Sequence, residues 1–415
     1  MTAGRRVTSP TVACFCMGET GHFQRLRPLI AGLTRRGVEA HVYTHHDFRA
    51  EVDAAGGVFH DLFSKYPLDR ADATSHPIAS RSVSFAAFYA AEIGGDVECI
   101  RPSLVIHDSF AVIGRVVAHL LGVPRVNVCA GHNVTPLQVP ALVAGHPRVL
   151  VSSACAKAAN VLEESYGVSD ASPFSYVCAI SPTLNIYCEP PEFLQEHERR
   201  LFEPVAFYGC LPSPEDAKRT GTANGAWLGP ESRPALRVYV SFGTVVWRYY
   251  TNEALRALEV LSTALGRLEH VRAIVSLGGA PIDDEVRAAL VRPNVAIERY
   301  VDQWDVLRGA DLFVTHHGLN STHEAIFNGV PMVSYPFFWD QPALARRCQE
   351  LGLALPLARS LRGAFGADEV QAALGRAGDD RASLLTAMAR AREWEQAVMG
   401  KRAAVLDRIV AIAAS

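Results

Sequence analysis

The chain has 415 residues, 49% hydrophobic and 20% charged, with a formal net charge of -3. That length predicts two domains rather than one, and the near-neutral balance without any basic run excludes a surface built to track nucleic-acid phosphates. Apolar stretches stop short of the roughly 20 residues a bilayer span requires, so no membrane partner is expected either.

Met1 to Pro10 carries Arg5 and Arg6 but no apolar signal core, so secretion is not expected and the reading is a soluble, cytoplasmic protein. The 9 cysteines are scattered through apolar segments, without a CxxC pair. Cys14 and Cys16 are spaced to share one face of a strand. Buried thiols in a reducing compartment fit better than a disulfide or zinc framework.

Short Val-rich runs alternate with longer helical patterns, which predicts a parallel sheet wrapped by helices. In the first half, strands are expected at Val12–Met17, Val38–Thr44, Leu104–His107 and Arg125–Cys129. Helices are expected at Phe23–Arg36 and Ala111–Leu121, ending near Gly37 and Gly122. Gly18-Glu-Thr-Gly-His22 follows the first strand; its glycine spacing is not the dinucleotide fingerprint. His22 is expected at the loop-to-helix junction, and Asp108 just beyond another strand end on the same rim. A carboxylate there can orient an imidazole and stabilise the imidazolium formed when a hydroxyl is deprotonated. Taken alone, a His at this position is more often a capping or packing residue, and Asp108 reads plausibly as a cap before Ala111. His45, His46 and His107 read as loop or packing residues.

Gly131 to Ile180 breaks the rhythm with scattered aromatics and small residues, which suits an insertion that shapes a pocket. Pro212 to Pro234 is turn-rich and reads as a linker. Strands then resume at Val238–Phe242, Ala273–Leu277, Val295–Glu298, Leu312–Val314 and Pro331–Tyr335. The fold class is therefore α/β, two Rossmann-like doubly wound domains facing across a cleft. Their expected bounds are 1–212 and 235–390, with 213–234 linking them and 391–415 a helix packing back on the first. Ligands in such sheets bind beyond the carboxyl ends of the strands.

Those ends carry the chemistry in the second half. Ser241-Phe-Gly243-Thr244 offers hydroxyls and a close backbone approach. Tyr300-Val301-Asp-Gln303 supplies an aromatic ring and an amide. After Leu312–Val314, the run from Thr315 through His316, Gly318, Asn320 and Ser321 to Glu324 predicts a tight turn and helix start, a ready anion site. Ser321 and Glu324 also fit a capping box, S-x-x-E. Asp340 and Gln341 close a further strand-loop and can satisfy several hydroxyls at once. A phosphate cradle, a base platform and a hydroxyl reader together describe a nucleotide-sugar site.

The segment THHGLNSTHEAIFNGVPMVSYPFFWDQ resembles the nucleotide-sugar signature of the UDP-glycosyltransferase superfamily, shared by plant secondary-product and bacterial antibiotic glycosyltransferases of the two-domain GT-B fold. GHFQRLRPLI and PSLVIHDSF resemble the superfamily segments that supply a catalytic His and its Asp partner. The resemblance spans both halves and is weakest in Phe48–Ser103 and Gly131–Leu184. It implies an acceptor-binding first domain and a nucleotide-sugar-binding second one. His22 would be the base and Asp108 its orienting acid. Tyr300 would stack on the base, His316, Asn320 and Ser321 would contact phosphates, Glu324 would bind ribose, and Asp340 with Gln341 would hold the donor sugar. Tyr300 stands where the family often has Trp, and Asp302 where it often has Pro.

The expected activity is inverting, metal-independent transfer from a UDP- or dTDP-sugar to a small natural product. The helix start and His316 would stabilise the leaving diphosphate, and no D-x-D motif of the usual metal-diphosphate kind is present. No cofactor is expected beyond the nucleotide-sugar co-substrate. Acceptor contacts are expected from Phe85, Phe88, Tyr89 and His132, and the protein is expected to be a monomer or homodimer. The rival readings are an epimerase or hydrolase on the same fold, favoured by donor consumption without acceptor, and a non-catalytic accessory partner of another transferase.

Overall fold

Strands in the computed structural model form two sheets, and every pairing within them is parallel. The structure describes residues 9–74, 78–129, 131–136, 138, 151–211 and 236–415. The linker expected at 213–234 and part of the insertion expected at 131–180 lie outside the described residues. Two compact units follow the sheets: Met1–Cys210 with Val398–Ser415, and Leu211–Ala397. The long helix Arg381–Ala414 contributes residues to both.

The first sheet contains β1 (Thr11–Phe15), β2 (Glu39–Thr44), β3 (Val58–Asp61), β4 (Leu104–Asp108), β5 (Arg125–Val128), β6 (Leu184–Tyr187) and β7 (Val205–Phe207). Their order is β3-β2-β1-β4-β5-β6-β7. β4 is buried along its whole length and β1 at all but its first residue. Helices cover such strands on both faces, hence the continuous apolar runs rather than alternation. Chain order reverses between β1 and β4, the point at which connections leave to opposite faces and a crevice opens at the carboxyl ends.

The second sheet contains β8 (Leu236–Ser241), β9 (Val271–Ser276), β10 (Val295–Glu298), β11 (Leu312–Thr315), β12 (Met332–Ser334) and β13 (Ala354–Pro356). Its order is β10-β9-β8-β11-β12-β13, so the same reversal falls between β8 and β11. The stacked rings of Tyr239 and Phe313, centroids 4.8 Å apart, fill the sheet at that junction.

Several boundaries differ from the sequence reading. The first helix spans Thr20–Thr34 and starts three residues earlier than expected, so His22 lies inside its first turn. Gly122 caps the helix Val112–Leu121 in the left-handed region, whereas Gly37 lies beyond the end of its helix. β1 ends at Phe15, so Cys16 follows the strand, though both it and Cys14 are buried. None of the nine cysteines forms a disulfide, and Cys99 is exposed while the other eight are buried. Among the described residues no helix is long and apolar enough to cross a membrane.

Candidate active site

In the first unit the strand-order reversal brings His22 and Asp108 together. The turn after β1 delivers His22, and Asp108 is the last residue of β4. His22 Nδ1 lies 2.9 Å from Asp108 Oδ1, which also accepts from the Phe110 N–H at 2.7 Å. Asp108 Oδ2 accepts from the Met17 N–H at 2.9 Å. Burial pushes this carboxyl up, but His22 and the two backbone donors together hold it below the usual carboxylate range. An anionic Asp108 keeps the proton on Nδ1 and leaves the Nε2 lone pair available to accept a proton from a hydroxyl. The Phe110 ring, 4.5 Å from the imidazole, walls one side of it.

In the second unit the loops after β8, β9 and β11 are packed through glycines. His316 is buried, and its Nε2 sits where a Cβ on Gly243 would come within 2.6 Å and one on Gly318 within 2.4 Å. Gly243 has φ +68°, and Gly278, at φ +61°, lies so close that its Cβ would meet the Gly243 carbonyl oxygen at 2.1 Å. Ser241 Oγ accepts from the Gly243 N–H at 3.2 Å and so fixes the turn. Thr244 beside it is exposed.

Burial pushes the His316 imidazole down to about 4, against the opposing pull of a hydrogen bond to the Ser241 backbone. At neutral pH it is therefore uncharged. An uncharged ring offers an N–H donor rather than the positive potential expected of His316. Its Nδ1 is buried without a hydrogen-bond partner. Positive potential falls instead to the start of the helix Leu319–Asn328, capped by Gly318.

Because that helix begins at Leu319, Ser321 and Glu324 do not form the capping box their spacing allows. Both turn to Gln303, whose Nε2 donates to Ser321 Oγ at 3.1 Å and to Glu324 Oε2 at 2.7 Å. Asp302 caps the helix Gln303–Gly309 by accepting from the Asp305 N–H, a physical role for the residue that departs from the family pattern. Burial, with Asp302 adding to it, raises the partly buried Glu324 carboxyl to about 7 despite the opposing Gln303 donor. Tyr300 projects beyond β10 with 70% of its surface exposed, a flat ring offered to solvent, next to the partly buried Val301. Asn320, also partly buried, lies in the first turn of the helix Leu319–Asn328.

Asp340 and Gln341 are both buried at the start of the helix Gln341–Glu350. Gln341 Oε1 accepts from the N–H groups of Phe337 and Phe338 at 2.9 and 3.3 Å. Its carbonyl end thus shapes the loop that precedes it. His317 was not singled out in the sequence, yet it is fully buried, at φ +60°, with Nε2 2.8 Å from Ser334 Oγ and Nδ1 3.3 Å from Thr322 Oγ1. It ties the end of β11 to β12 and to the helix Leu319–Asn328.

The residues expected to touch an acceptor differ in exposure and partners. Phe85, Phe88 and Tyr89 share the helix Ile78–Glu98. Phe85 is fully buried between the Phe63 and Tyr89 rings, the Tyr89 hydroxyl donates to the Pro67 carbonyl, and Phe88 is 60% exposed. His132 is buried with Nδ1 2.9 Å from Glu189 Oε2, an oxygen that also accepts from the Tyr187 hydroxyl. That buried pair follows β5 and β6, and only the histidine was visible as a candidate.

The chain is similar to known glycosyltransferases. Residues 235–376 match the family described as UDP-glucoronosyl and UDP-glucosyl transferase. The chain is 26% identical over 346 residues to NDP-glycosyltransferase YjiC of Bacillus subtilis (strain 168), covering 81% of this chain and 82% of that protein. It is 29% identical over 171 residues to the oleandomycin glycosyltransferase of Streptomyces antibioticus, 40% and 36% of the two chains. Among solved structures, the glycotransferase of kitacinnamycin superimposes with a TM-score of 0.75 at 22% identity, covering 97% of this chain and 99% of that one. The spinosyn rhamnosyltransferase SpnG complexed with thymidine diphosphate gives 0.64 at 20% identity over 95% and 99%.

Proposed function

We propose that this chain, whose residues 235–376 match the UDP-glucoronosyl and UDP-glucosyl transferase family and whose fold is GT-B, transfers a sugar from a nucleoside-diphosphate sugar to a hydroxyl of a small natural product, inverting the anomeric centre. His22 Nε2 takes the acceptor proton as the oxygen forms its bond to the anomeric carbon. The bond from that carbon to the diphosphate oxygen breaks, and the nucleoside diphosphate leaves with the electron pair. The single observation that supports this reading best is the 2.9 Å contact of His22 Nδ1 with a buried, backbone-held Asp108. The natural products named for the oleandomycin and kitacinnamycin transferases favour an acceptor of that class. Thymidine diphosphate bound to the spinosyn enzyme keeps dTDP-sugars beside UDP-sugars as donors. Mass spectrometry of reactions pairing several donors with a panel of polyketide and phenolic acceptors tests the assignment. Donor consumption without any glycosylated acceptor would point to an epimerase or hydrolase instead.

Transfer is expected to survive prolonged dialysis against a chelator. The helix start at Gly318 aims backbone N–H groups and the positive end of the dipole at a diphosphate. An absolute dependence on added Mg²⁺ or Mn²⁺ would overturn the metal-free assignment.

Glu324 gives a second expectation, through protons. Ribose hydroxyls donating to this carboxylate favour its ionised form, so its pKa falls on binding. From a starting value of about 7, UDP binding at neutral pH should release a fraction of a proton from this group. The phosphate of UDP titrates in the same range, so the readout is the difference between wild type and Glu324→Gln. Calorimetry in buffers of unlike ionisation enthalpy measures it. Identical buffer dependence in the two proteins would remove Glu324 from the ribose site.

A further inference from the structure

We infer that His45, His46 and Asp47 form a binding site for one borderline divalent ion, such as Zn²⁺ or Ni²⁺, in the connection that follows β2. Among the described residues this is the one group of three or more His, Cys, Asp or Glu side chains whose ligand atoms all lie within 4.8 Å of one another. Each carboxylate oxygen of Asp47 faces a different ring: Oδ2 lies 3.1 Å from His45 Nδ1, and Oδ1 lies 3.2 Å from His46 Nε2. Ligands on a tetrahedral ion with bonds of about 2.0–2.1 Å stand roughly 3.3 Å apart, close to the separation of each ring nitrogen from the Asp47 oxygen it faces.

Protons account for the cluster less well. His45 Nδ1 also accepts, at 3.4 Å, from the Asp47 N–H. A ring nitrogen has a single in-plane site, so it cannot accept there while donating to Oδ2. A single dication shared by two neutral imidazoles and one carboxylate satisfies all three. Two nitrogens and one oxygen select Zn²⁺, Ni²⁺ or Cu²⁺ over Mg²⁺, which prefers an oxygen octahedron. Water would complete the shell, since the three side chains are 31%, 63% and 68% exposed.

The backbone beneath the donors is anchored. They open the short 3₁₀ turn His46–Phe48, and Phe48 is buried with its ring stacked 4.4 Å from that of Phe23. His45 packs against Gly18, where a Cβ would come within 3.2 Å of the His45 Cβ. Holding the turn from below limits what the ligands must give up in order to converge.

The inference is independent of the transfer reaction, because its readout is binding. Tag-free, chelator-stripped protein is titrated with ZnCl₂ and separately with MgCl₂ in a calorimeter, and Co²⁺ is added to follow its visible absorption. One equivalent of Zn²⁺ should bind, Mg²⁺ should not, and Co²⁺ should give the intense bands of a low-coordinate site. His46→Ala and Asp47→Ala should each weaken Zn²⁺ binding by about tenfold or more, and the double variant should abolish it. Cys99→Ser, which removes the exposed thiol, should bind as wild type does. Circular dichroism checks that the surface variants remain folded. No saturable Zn²⁺ binding by wild type, or undiminished binding by the His46→Ala/Asp47→Ala double variant, overturns the site.

Discussion

His22→Ala is expected to lower turnover by about two to four orders of magnitude, the usual contribution of a positioned general base. Donor affinity should hardly change, because His22 belongs to the first compact unit and the candidate nucleotide residues to the second. Asp108→Asn should cost less, since the imidazole remains, but more than loss of a surface charge. The amide can accept from the backbone N–H groups of Met17 and Phe110 that now hold the carboxylate, yet it no longer compensates the imidazolium. An alcohol acceptor needs the base most; a phenol would show a milder His22 effect. Single-turnover rates at saturating donor, set beside calorimetric donor affinity, separate the cases. If affinity collapses while the rate holds, His22 is a structural residue and the mechanism is wrong.

The pair was legible in the sequence because Asp108 ends the buried strand β4 and His22 opens the helix that follows the buried strand β1, and the sheet sets those two strands side by side. What escaped was set by partners distant along the chain. Gln303 reads from the sequence only as an amide available for polar contacts; that it donates to Ser321 and Glu324 appears only with the fold. The charge state of His316 depends on burial that no local pattern records. His317 has no signal beyond its neighbours, since its role is to bridge Ser334 and Thr322.

Secondary structure failed where the periodic signal fades. β3, β7 and β13 have only 4, 3 and 3 residues, too few for an apolar run to stand out, and β6 lies just past the insertion that breaks the rhythm. The 21-residue helix Ile78–Glu98 went unassigned because its middle, Ser82 to Ala87, is buried without interruption. With small serines and aromatics on several faces, no polar stripe marks a period of 3.6.

Gly318→Ala is expected to weaken UDP or dTDP binding by roughly 10- to 100-fold while leaving the protein folded. The backbone at Gly318 has φ -63° and ψ 143°, which alanine adopts without strain. The added methyl meets a side chain instead: it would lie 2.4 Å from His316 Nε2 and 2.9 Å from Cε1, so the ring must leave its seat. Moving it removes one donor to a charged diphosphate, a loss of about 1.5–3 kcal/mol, and each 1.4 kcal/mol is tenfold in affinity. Gly278→Ala sets the contrast. There φ is +61° and the methyl would strike the Gly243 carbonyl oxygen at 2.1 Å, a backbone atom that cannot swing aside, so thermal stability should fall together with binding. The comparison becomes decisive in a cycle with His316→Ala. If Gly318 acts only by seating His316, then Gly318→Ala should cost nothing further once the imidazole is gone. A full additional loss in that background, with the melting temperature unchanged, would mean that the alanine methyl itself blocks the diphosphate and that His316 is not its ligand.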